Sequence, residues 1–511
     1  MTAIEIVTTV AGAIGFGFAA IRWLRVAQRE HYLAGSATKF ARRWWVSSTA
    51  NLVLISVGGL AAALAFVWPV VGLPAVAVAI VGPLGLGVRG RTSRLAWTRR
   101  LRTAALVLVV VTAVIIVVVG LLLDRVAALT AASGIVAPLL VDDALWLVAP
   151  LERALANRHI RRAAAALRRI DPIVVAITGS YGKTTTKQYA RHLISGTRQV
   201  VASPASFNNA AGLSRAITEH LTPGTEVFIA EMGTYGAGEI ASLCEWIQPK
   251  VGVITAIGPV HLERMGSLDG IVAAKSEILE CVETAVLNVD AYGLAVVADA
   301  ARVSGKRVLA CSAERLTEPV DVRVLRKDGQ SSVDVGSGRT TTLATPAQPT
   351  NLACAIAIAL ALDVPWSDIE SRLPTLPQPE HRQDIAVAAS GVHVIDNTFS
   401  SNPASGESSL SLLAFTGDVD ARRVVVTPGM VELGREQHHE NERFGSGASL
   451  VANDIVVIGK TNREALVAGA AGGLARVHEV ATRDEAVAWV RAELQAGDVV
   501  LYENDLPDHY P

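Results

Sequence analysis

Ile173-Val-Val-Ala-Ile-Thr-Gly-Ser-Tyr-Gly-Lys-Thr-Thr-Thr186 is the stretch that decides how this chain folds. The apolar run Ile173 to Ile177 reads as a buried strand. Gly179 and Gly182 then allow a tight turn with close backbone approach. Lys183 and Thr184 follow at the start of an expected helix. A helix N-terminus offers unpaired N–H groups and a partial positive charge, which suits a polyphosphate. Gly179, Ser180, Tyr181, Gly182, Lys183, Thr184 and Thr185 are the candidate phosphate-binding residues. In this reading Lys183 neutralises the β- and γ-phosphates, and the Thr184 hydroxyl sits on Mg²⁺. The spacing is Gly-x-x-Gly-Lys-Thr, and Ile177 occupies the first glycine position of the longer Gly-x-x-x-x-Gly-Lys-Thr form.

Upstream the composition changes. A chain of 511 residues exceeds one hydrophobic core, so about two to four domains are expected. A formal net charge of −1 gives no sign of a nucleic-acid partner. The mean hydropathy of +0.38 is high for a soluble enzyme, and the excess lies in the N-terminal third. Cys244, Cys281, Cys311 and Cys354 lack metal-type spacing and read as reduced thiols.

Five apolar runs, 3–21, 48–67, 69–88, 103–123 and 126–149, approach the roughly 20 residues that span a bilayer. No short apolar region with a cleavage site marks a signal peptide. Segment 22–43 carries Arg22, Arg25, Arg29, Lys39, Arg42 and Arg43; segment 89–102 carries Arg89, Arg91, Arg94, Arg99, Arg100 and Arg102. The positive-inside rule puts both in the cytoplasm and the N-terminus outside. A fifth crossing must then return the chain. Its candidate, 126–149, contains Asp142 and Asp143, and intramembrane carboxylates are costly and often functional. A shorter, tilted or re-entrant segment with these aspartates at its edge is the alternative. Residues 151–170 combine helically spaced apolar residues with many arginines, so a basic amphipathic helix on the inner membrane surface is expected.

From Ile173 onward short β-branched runs alternate with alanine-rich stretches, the pattern of a parallel α/β sheet with ligands at the carboxyl ends of its strands. The Pro-rich stretch Leu373 to Glu380 reads as a boundary, after which a smaller Rossmann-like α/β domain is expected. The expected organisation is a multi-pass α-helical membrane region (1–150), a basic linker helix (151–170), a central P-loop parallel-sheet ATPase domain (171–376) and a C-terminal α/β domain (377–511).

Polar residues at strand ends add chemistry. Val227-Phe-Ile-Ala-Glu231 ends in a carboxylate placed to hold Mg²⁺ beside a phosphate loop. A second strand from Val251 runs into a loop with His261, a candidate metal ligand, although a lone histidine is more often structural. Lys275 sits early in an apolar helix, where a solvated lysine is the default reading.

Taken in order, the phosphate loop, Ser206-Phe-Asn-Asn209, Glu231-Met-Gly233, His261-Leu-Glu-Arg-Met-Gly-Ser267 and Ala274-Lys-Ser-Glu-Ile278 resemble the Mur ligases. The likeness is greatest to the branch that adds D-alanyl-D-alanine to a UDP-muramoyl tripeptide. Glu380-His-Arg382, Ile395-Asp-Asn-Thr-Phe-Ser-Ser-Asn-Pro403 and Pro428-Gly-Met-Val-Glu-Leu-Gly434 extend the resemblance to residues 171–511. The resemblance implies an ATP-dependent acid–amine ligase working through an acyl phosphate in peptidoglycan precursor synthesis. It implies ATP on the phosphate loop, Asn351 at adenine, and Arg382 and Asp396 closing on the nucleotide. Thr184, Glu231 and His261 would serve magnesium, and Lys275 would match a carbamoylated lysine, a CO₂ adduct that positions a second magnesium. Lys183, Glu231, His261 and Lys275 would be the catalytic set, with Asn208 and Asn209 at the substrate. A carboxylate acceptor and an amino acid or dipeptide would be the partners, with the membrane lipid bilayer and cell-envelope synthesis proteins around them. The enzyme would be a multi-pass plasma-membrane protein with cytoplasmic catalytic domains.

The chain departs from the family pattern in three places. Membrane spans stand where the family has a UDP-binding domain. Asn397, Phe399 and Ser400 replace Asp, Tyr and Asn, and the C-terminal Leu501-Tyr-Glu-Asn-Asp-Leu-Pro-Asp-His-Tyr-Pro511 lacks the usual Lys-Gly-Ser-Arg. A poly-γ-glutamate synthase-like polymerase is an alternative, since such enzymes also place a membrane segment before a Mur-type ATPase. A transport ATPase is a rival of another class, against which no Leu-Ser-Gly-Gly-Gln signature is present.

Overall fold

The computed structural model describes residues 2–89, 95–204, 207–260, 262–314, 319–327, 330–336, 338–345, 347–377, 384–398, 401–506 and 510. The chain divides into two compact units, residues 1–155 with 506–511 and residues 156–505.

The first unit is helical. Its helices are α1 (Ala3–Arg29), α2 (Ser36–Val46), α3 (Thr49–Leu64), α4 (Leu73–Val81), α5 (Arg99–Leu123), α6 (Val126–Ser133) and α7 (Ala137–Ile170), and the unit boundary falls within α7. Among the described residues α1 and α5 are long and apolar enough to cross a bilayer. Four spans result if the bent pairs α2–α3 (116°) and α6–α7 (85°) each count as one. By length and composition these are two to four candidate spans against the five crossings expected from hydropathy. The third candidate, 69–88, is a 3₁₀ turn at Pro69–Gly72 followed by the 9-residue α4. Proline at 69, 74 and 83 punctuates it. The fifth candidate breaks between α6 and α7 at Gly134. The expected linker helix is not separate either, because α7 runs unbroken through Pro150 to Ile170. Ala163 and Leu167, in the C-terminal half of its apolar stripe, are buried in the α/β core, whereas Leu151 is exposed.

Two charges expected in loops or as functional groups instead hold the helical unit together. Arg22 is buried and donates to the carbonyls of Ala79 (3.0 Å), Ile80 (2.7 Å) and Leu86 (3.0 Å), at the C-terminal end of α4. Asp142 accepts from the backbone N–H of Ala37 (3.2 Å) and Thr38 (2.9 Å) and from the Thr38 hydroxyl (2.6 Å). The N-cap of α2 is Gly35, which brings no side chain, so Asp142 supplies the cap from across the unit.

The second unit contains two sheets. The first comprises β1 (Ile173–Thr178), β2 (Val200–Ala202), β3 (Val227–Glu231), β4 (Val251–Ile254), β5 (Thr284–Asn288), β6 (Arg307–Ser312), β7 (Val322–Lys327), β8 (Gln330–Val335) and β9 (Arg339–Ala344). Its order is β2-β3-β1-β4-β5-β6-β7-β8-β9. Pairing is parallel from β2 through β7, as the β-α alternation predicts. The antiparallel meander β7–β9 was not foreseen; its exposed outer face leaves little apolar pattern to read. Helices α8 (Lys183–Ile194), α9 (Ala210–His220), α10 (Glu239–Ile247), α11 (Leu262–Met265), α12 (Leu268–Ser276), α13 (Leu294–Val303) and α14 (Pro349–Ala361) belong with this sheet. Leu352 to Ala359 of α14 are all buried, since a helix apolar on every side belongs inside.

The second sheet comprises β10 (Asp384–Val387), β11 (His393–Asn397), β12 (Arg423–Thr427), β13 (Asp454–Ile458), β14 (Arg476–Val480) and β15 (Val499–Glu503), in the order β10-β11-β15-β12-β13-β14. Only β10 pairs antiparallel. Core clusters cover both faces, one around Ile395, Val425 and Leu501 and one around Val424, Val456 and Val500.

Candidate functional site

β1 delivers the chain at Thr178 into the loop 179–182, and α8 starts at Lys183. Gly182 has φ +79°, and a Cβ there would lie 2.1 Å from Asn351 Oδ1, so conformation and space both demand glycine. Among the described residues no side chain caps α8, an arrangement suited to an anion at its first turn. The loop is braced from the strand next door. Ser180 N–H donates to Ala256 O (2.8 Å), Ser180 Oγ donates to Gly258 O (3.1 Å), and Thr255 Oγ1 donates to Tyr181 O. The Tyr181 ring covers Gly258 so closely that a Cβ at 258 would meet it at 2.3 Å. Burial, then the Glu440 carboxylate, push the Tyr181 hydroxyl well above its ordinary pKa.

Lys183 Nζ folds back onto Gly179 O (2.7 Å) and Ser180 O (3.4 Å). Thr184 Oγ1 donates to Glu231 Oε2 at 2.9 Å. Lys187 Nζ reaches the same oxygen at 2.8 Å, and both members of that pair are almost fully buried. Asn208 Nδ2 approaches the other oxygen, Oε1, at 3.5 Å. Gly179, Ser180, Lys183, Asn208, Tyr235 and Lys275 line one cleft. Lys275 is 4% exposed. Burial, reinforced by the Lys183 charge, holds its pKa well below that of an ordinary lysine. The default of a solvated helix lysine therefore does not apply.

The structure thus brings Gly179, Ser180, Lys183, Thr184, Asn208, Glu231 and Lys275 together, while Thr185 is buried behind the loop. Asn209 is turned away: its side chain accepts from Gly212 N–H (2.9 Å) and caps α9. Asn351 packs on Gly182 and accepts from Thr186 Oγ1 at 3.5 Å. Asp396, on β11, binds the N–H and hydroxyl of Thr398 (3.0 and 2.6 Å) and is not among the residues lining the cleft. His261 and Arg382 lie outside the described residues, as do Ser206, Phe399 and Ser400. Asn397 donates to both oxygens of the buried Glu503 (3.0 and 2.8 Å), whose pKa burial raises against the hydrogen bonds of Ser401, Ser409 and Asn397.

Sequence reasoning missed Lys187. The signal was a second lysine four residues after Lys183, which puts both on one side of α8.

The groups present suit a magnesium–nucleotide. Thr184 and Glu231 offer hard oxygen donors beside a lysine and an uncapped helix start. No group of three His, Cys, Asp or Glu residues forms a metal cage among the described residues. Magnesium bound through one or two carboxylates plus phosphate needs none.

Family comparison agrees with this geometry. Residues 177–359 match the Mur ligase middle domain, and residues 381–502 match the Mur ligase glutamate ligase domain. The UDP-N-acetylmuramoyl-tripeptide–D-alanyl-D-alanine ligase of Mycobacterium tuberculosis is 32% identical over 364 residues, covering 64% of this chain and 69% of that one. The ligase of the same name from Synechocystis is 30% identical over 379 residues, covering 72% of this chain and 77% of that one. A crystal structure of MurF from Acinetobacter baumannii shares the fold with a TM-score of 0.59 at 24% identity, covering 68% of this chain and 77% of that one. The chain belongs to the Mur ligase family and is an ATP-dependent carbon–nitrogen ligase.

Proposed function

We propose that this enzyme joins an amino acid or dipeptide to the carboxylate of a cell-envelope precursor at the membrane. The observation that carries the proposal is that Lys183, Lys275 and Asn208 line one cleft, with Asn208 approaching the Glu231 carboxylate that Thr184 also binds. The acceptor carboxylate attacks the γ-phosphorus, the bond to the ADP oxygen breaks, and an acyl phosphate forms. The amine nitrogen then attacks the acyl carbon, loses a proton, and phosphate leaves. Lys183 swings from its loop carbonyls to the phosphates and offsets the charge that gathers between two anions. The uncapped first turn of α8 orients the polyphosphate. Magnesium, when bound, supplies further positive charge against the transferring phosphoryl group; Thr184 and Glu231 would hold it.

In this reading Lys275 works as a carbamate. Its buried, readily neutralised amine suits addition to CO₂, which forms an N–C bond and releases a proton. Asn208 at the cleft wall serves the acceptor. The apolar outer residues of α1 and α5, among them Ile6, Val10, Val110, Val114 and Val118, support a membrane anchor.

ADP release by the purified full chain tests the function. The panel comprises the UDP-linked muramoyl tripeptide with D-alanyl-D-alanine, lipid-linked peptide acceptors, and γ-glutamyl acceptors with glutamate. Acceptor- and amine-dependent ADP release is expected from an envelope precursor and none from Lys183→Ala. Equal ADP release by folded Lys183→Ala would overturn the assignment.

A further inference from the structure

Lys187 has no part in the phosphate loop, yet its side chain is 3% exposed and its ammonium sits against the carboxylate of Glu231, whose side chain is 2% exposed. A buried ion pair of this kind is costly to form and is weak evidence for stability. Its geometry suits another purpose. Lys187 Nζ holds Glu231 Oε2 at 2.8 Å, and Ser203 Oγ lies 3.5 Å from the same ammonium. Ser203 is itself fixed to β3: its N–H donates to Ile229 O (2.9 Å), and its hydroxyl accepts from Glu231 N–H (3.2 Å). The ammonium is therefore anchored at both ends of a short frame that joins α8 to β3. Thr184 Oγ1 also points at Oε2. Among the described residues Glu231 Oε1 receives only the long 3.5 Å approach of Asn208, a residue of the cleft wall. The carboxylate is thus held asymmetrically, with Oε2 bound by Thr184 and Lys187 and Oε1 on the side of the cleft-wall residue Asn208.

We propose that Lys187 is a positioning residue, which pins Glu231 Oε2 so that the carboxylate presents its second oxygen to the magnesium of the bound nucleotide. The inference rests on the assignment of Glu231 as a magnesium-binding residue. It explains why a cation stands beside a group expected to bind a cation. The lysine does not compete for the cleft, because it approaches from within the core. The helical spacing matters too. Lys183 and Lys187 project from one side of α8, the first onto the carbonyls of the phosphate loop and the second to the carboxylate.

The experiment measures ADP affinity by calorimetry on the full chain in detergent, with and without magnesium. Wild type should bind ADP more tightly with magnesium, and Glu231→Gln should lose most of that gain. Absence of a magnesium effect in wild type, or its retention in Glu231→Gln, would overturn the Glu231 assignment itself. Given both controls, Lys187→Met should lose tenfold or more of the magnesium-dependent gain while metal-free ADP affinity stays within about twofold. A purely structural role would lower both affinities together or neither. Adding Lys187→Met to Glu231→Gln should change the magnesium effect no further. Lys187→Arg keeps the charge but displaces it, so it should recover part of the gain. If Lys187→Met does not fold, Lys187→Arg decides: a threefold or larger weakening confined to the magnesium condition supports the proposal. A magnesium dependence equal to wild type in the folded variant overturns it.

Discussion

At the scale of the residue, environment decides what each lysine can do. Lys183 is half-buried and turned onto the carbonyls of its own loop. Lys275 is buried beside it in the same cleft. A free ammonium there would repel magnesium, whereas a carbamate is an anion that can bind it. Lys275→Ala should therefore reduce ADP-forming turnover by at least about a hundredfold, the size of effect that loss of a charge-stabilising group produces. Acetate, by occupying the vacated volume, should restore part of it. Lys275→Arg should stay inactive, because arginine keeps the wrong sign of charge and takes up no CO₂. Turnover of the variants with and without acetate checks this, and full activity of Lys275→Arg under CO₂ depletion would exclude the carbamate. The residue scale also shows what spacing alone conveys. Lys183 and Thr184 were legible because a strand, a turn and a helix must meet there in order. Asn209 stands in the same motif as Asn208, but only coordinates reveal that it caps α9. Glu231 was legible as a carboxylate at a strand end, while the lysine that holds it comes from 44 residues away in sequence.

At the scale of the element, apolar content was easy to read and its destination was not. α14 is as apolar as a short span, yet it is the central buried helix of the first sheet. Run 69–88 is apolar too, but its prolines leave a helix of 9 residues, about 13 Å long against a hydrocarbon core of about 30 Å. The parallel order of β1 to β6 followed from the alternation of strand and helix, whereas the meander β7–β9 carries no helix between strands and so gave no such signal. Asp142 shows the same limit: in sequence it interrupts an apolar run, and in space it caps α2 from a partner 104 residues distant. Removing that carboxylate leaves the Ala37 and Thr38 N–H groups without their acceptor. Asp142→Ala should therefore destabilise the helical unit by about 1–3 kcal/mol, and Asp142→Asn, which keeps one acceptor oxygen, by less. Thermal unfolding of the full chain in detergent checks this, with ADP affinity as the control that the second unit is unharmed. An unchanged unfolding profile for Asp142→Ala would show that the cap contributes nothing.

At the scale of the whole molecule, the question is which side of a membrane each loop faces. Counting arginines put segments 22–43 and 89–102 on one side, but Arg22 and Arg25 turn out to be buried among carbonyls, so they are not free charges at a surface. Gln28 donates to Ala96 O (2.6 Å), the Tyr32 hydroxyl meets Thr98 Oγ1 (3.0 Å), and the Arg100 guanidinium lies 4.4 Å from the centre of the Tyr32 ring. The end of α1 and the start of α5 are therefore neighbours within the helical unit, and no bilayer can separate them. Arg29, Lys39, Arg42, Arg43, Arg99 and Arg102 lie in or beside these segments, and if α1 and α5 cross a bilayer the positive-inside rule predicts the cytoplasmic side for both. The far end of α5, with Leu122 and Leu123 exposed, should then face outward. Cysteine labelling of intact cells tests the arrangement. Cys281 is the exposed native thiol and is first replaced by serine, since Cys244, Cys311 and Cys354 are buried. Gly35→Cys and Trp97→Cys should resist a membrane-impermeant maleimide until the cells are permeabilised, whereas Leu122→Cys should react at once. Because positions 35 and 97 flank segments in direct contact, they must behave alike. Labelling of both from outside would invert the topology, and labelling of only one would mean that the contact between α1 and α5 does not exist in the membrane.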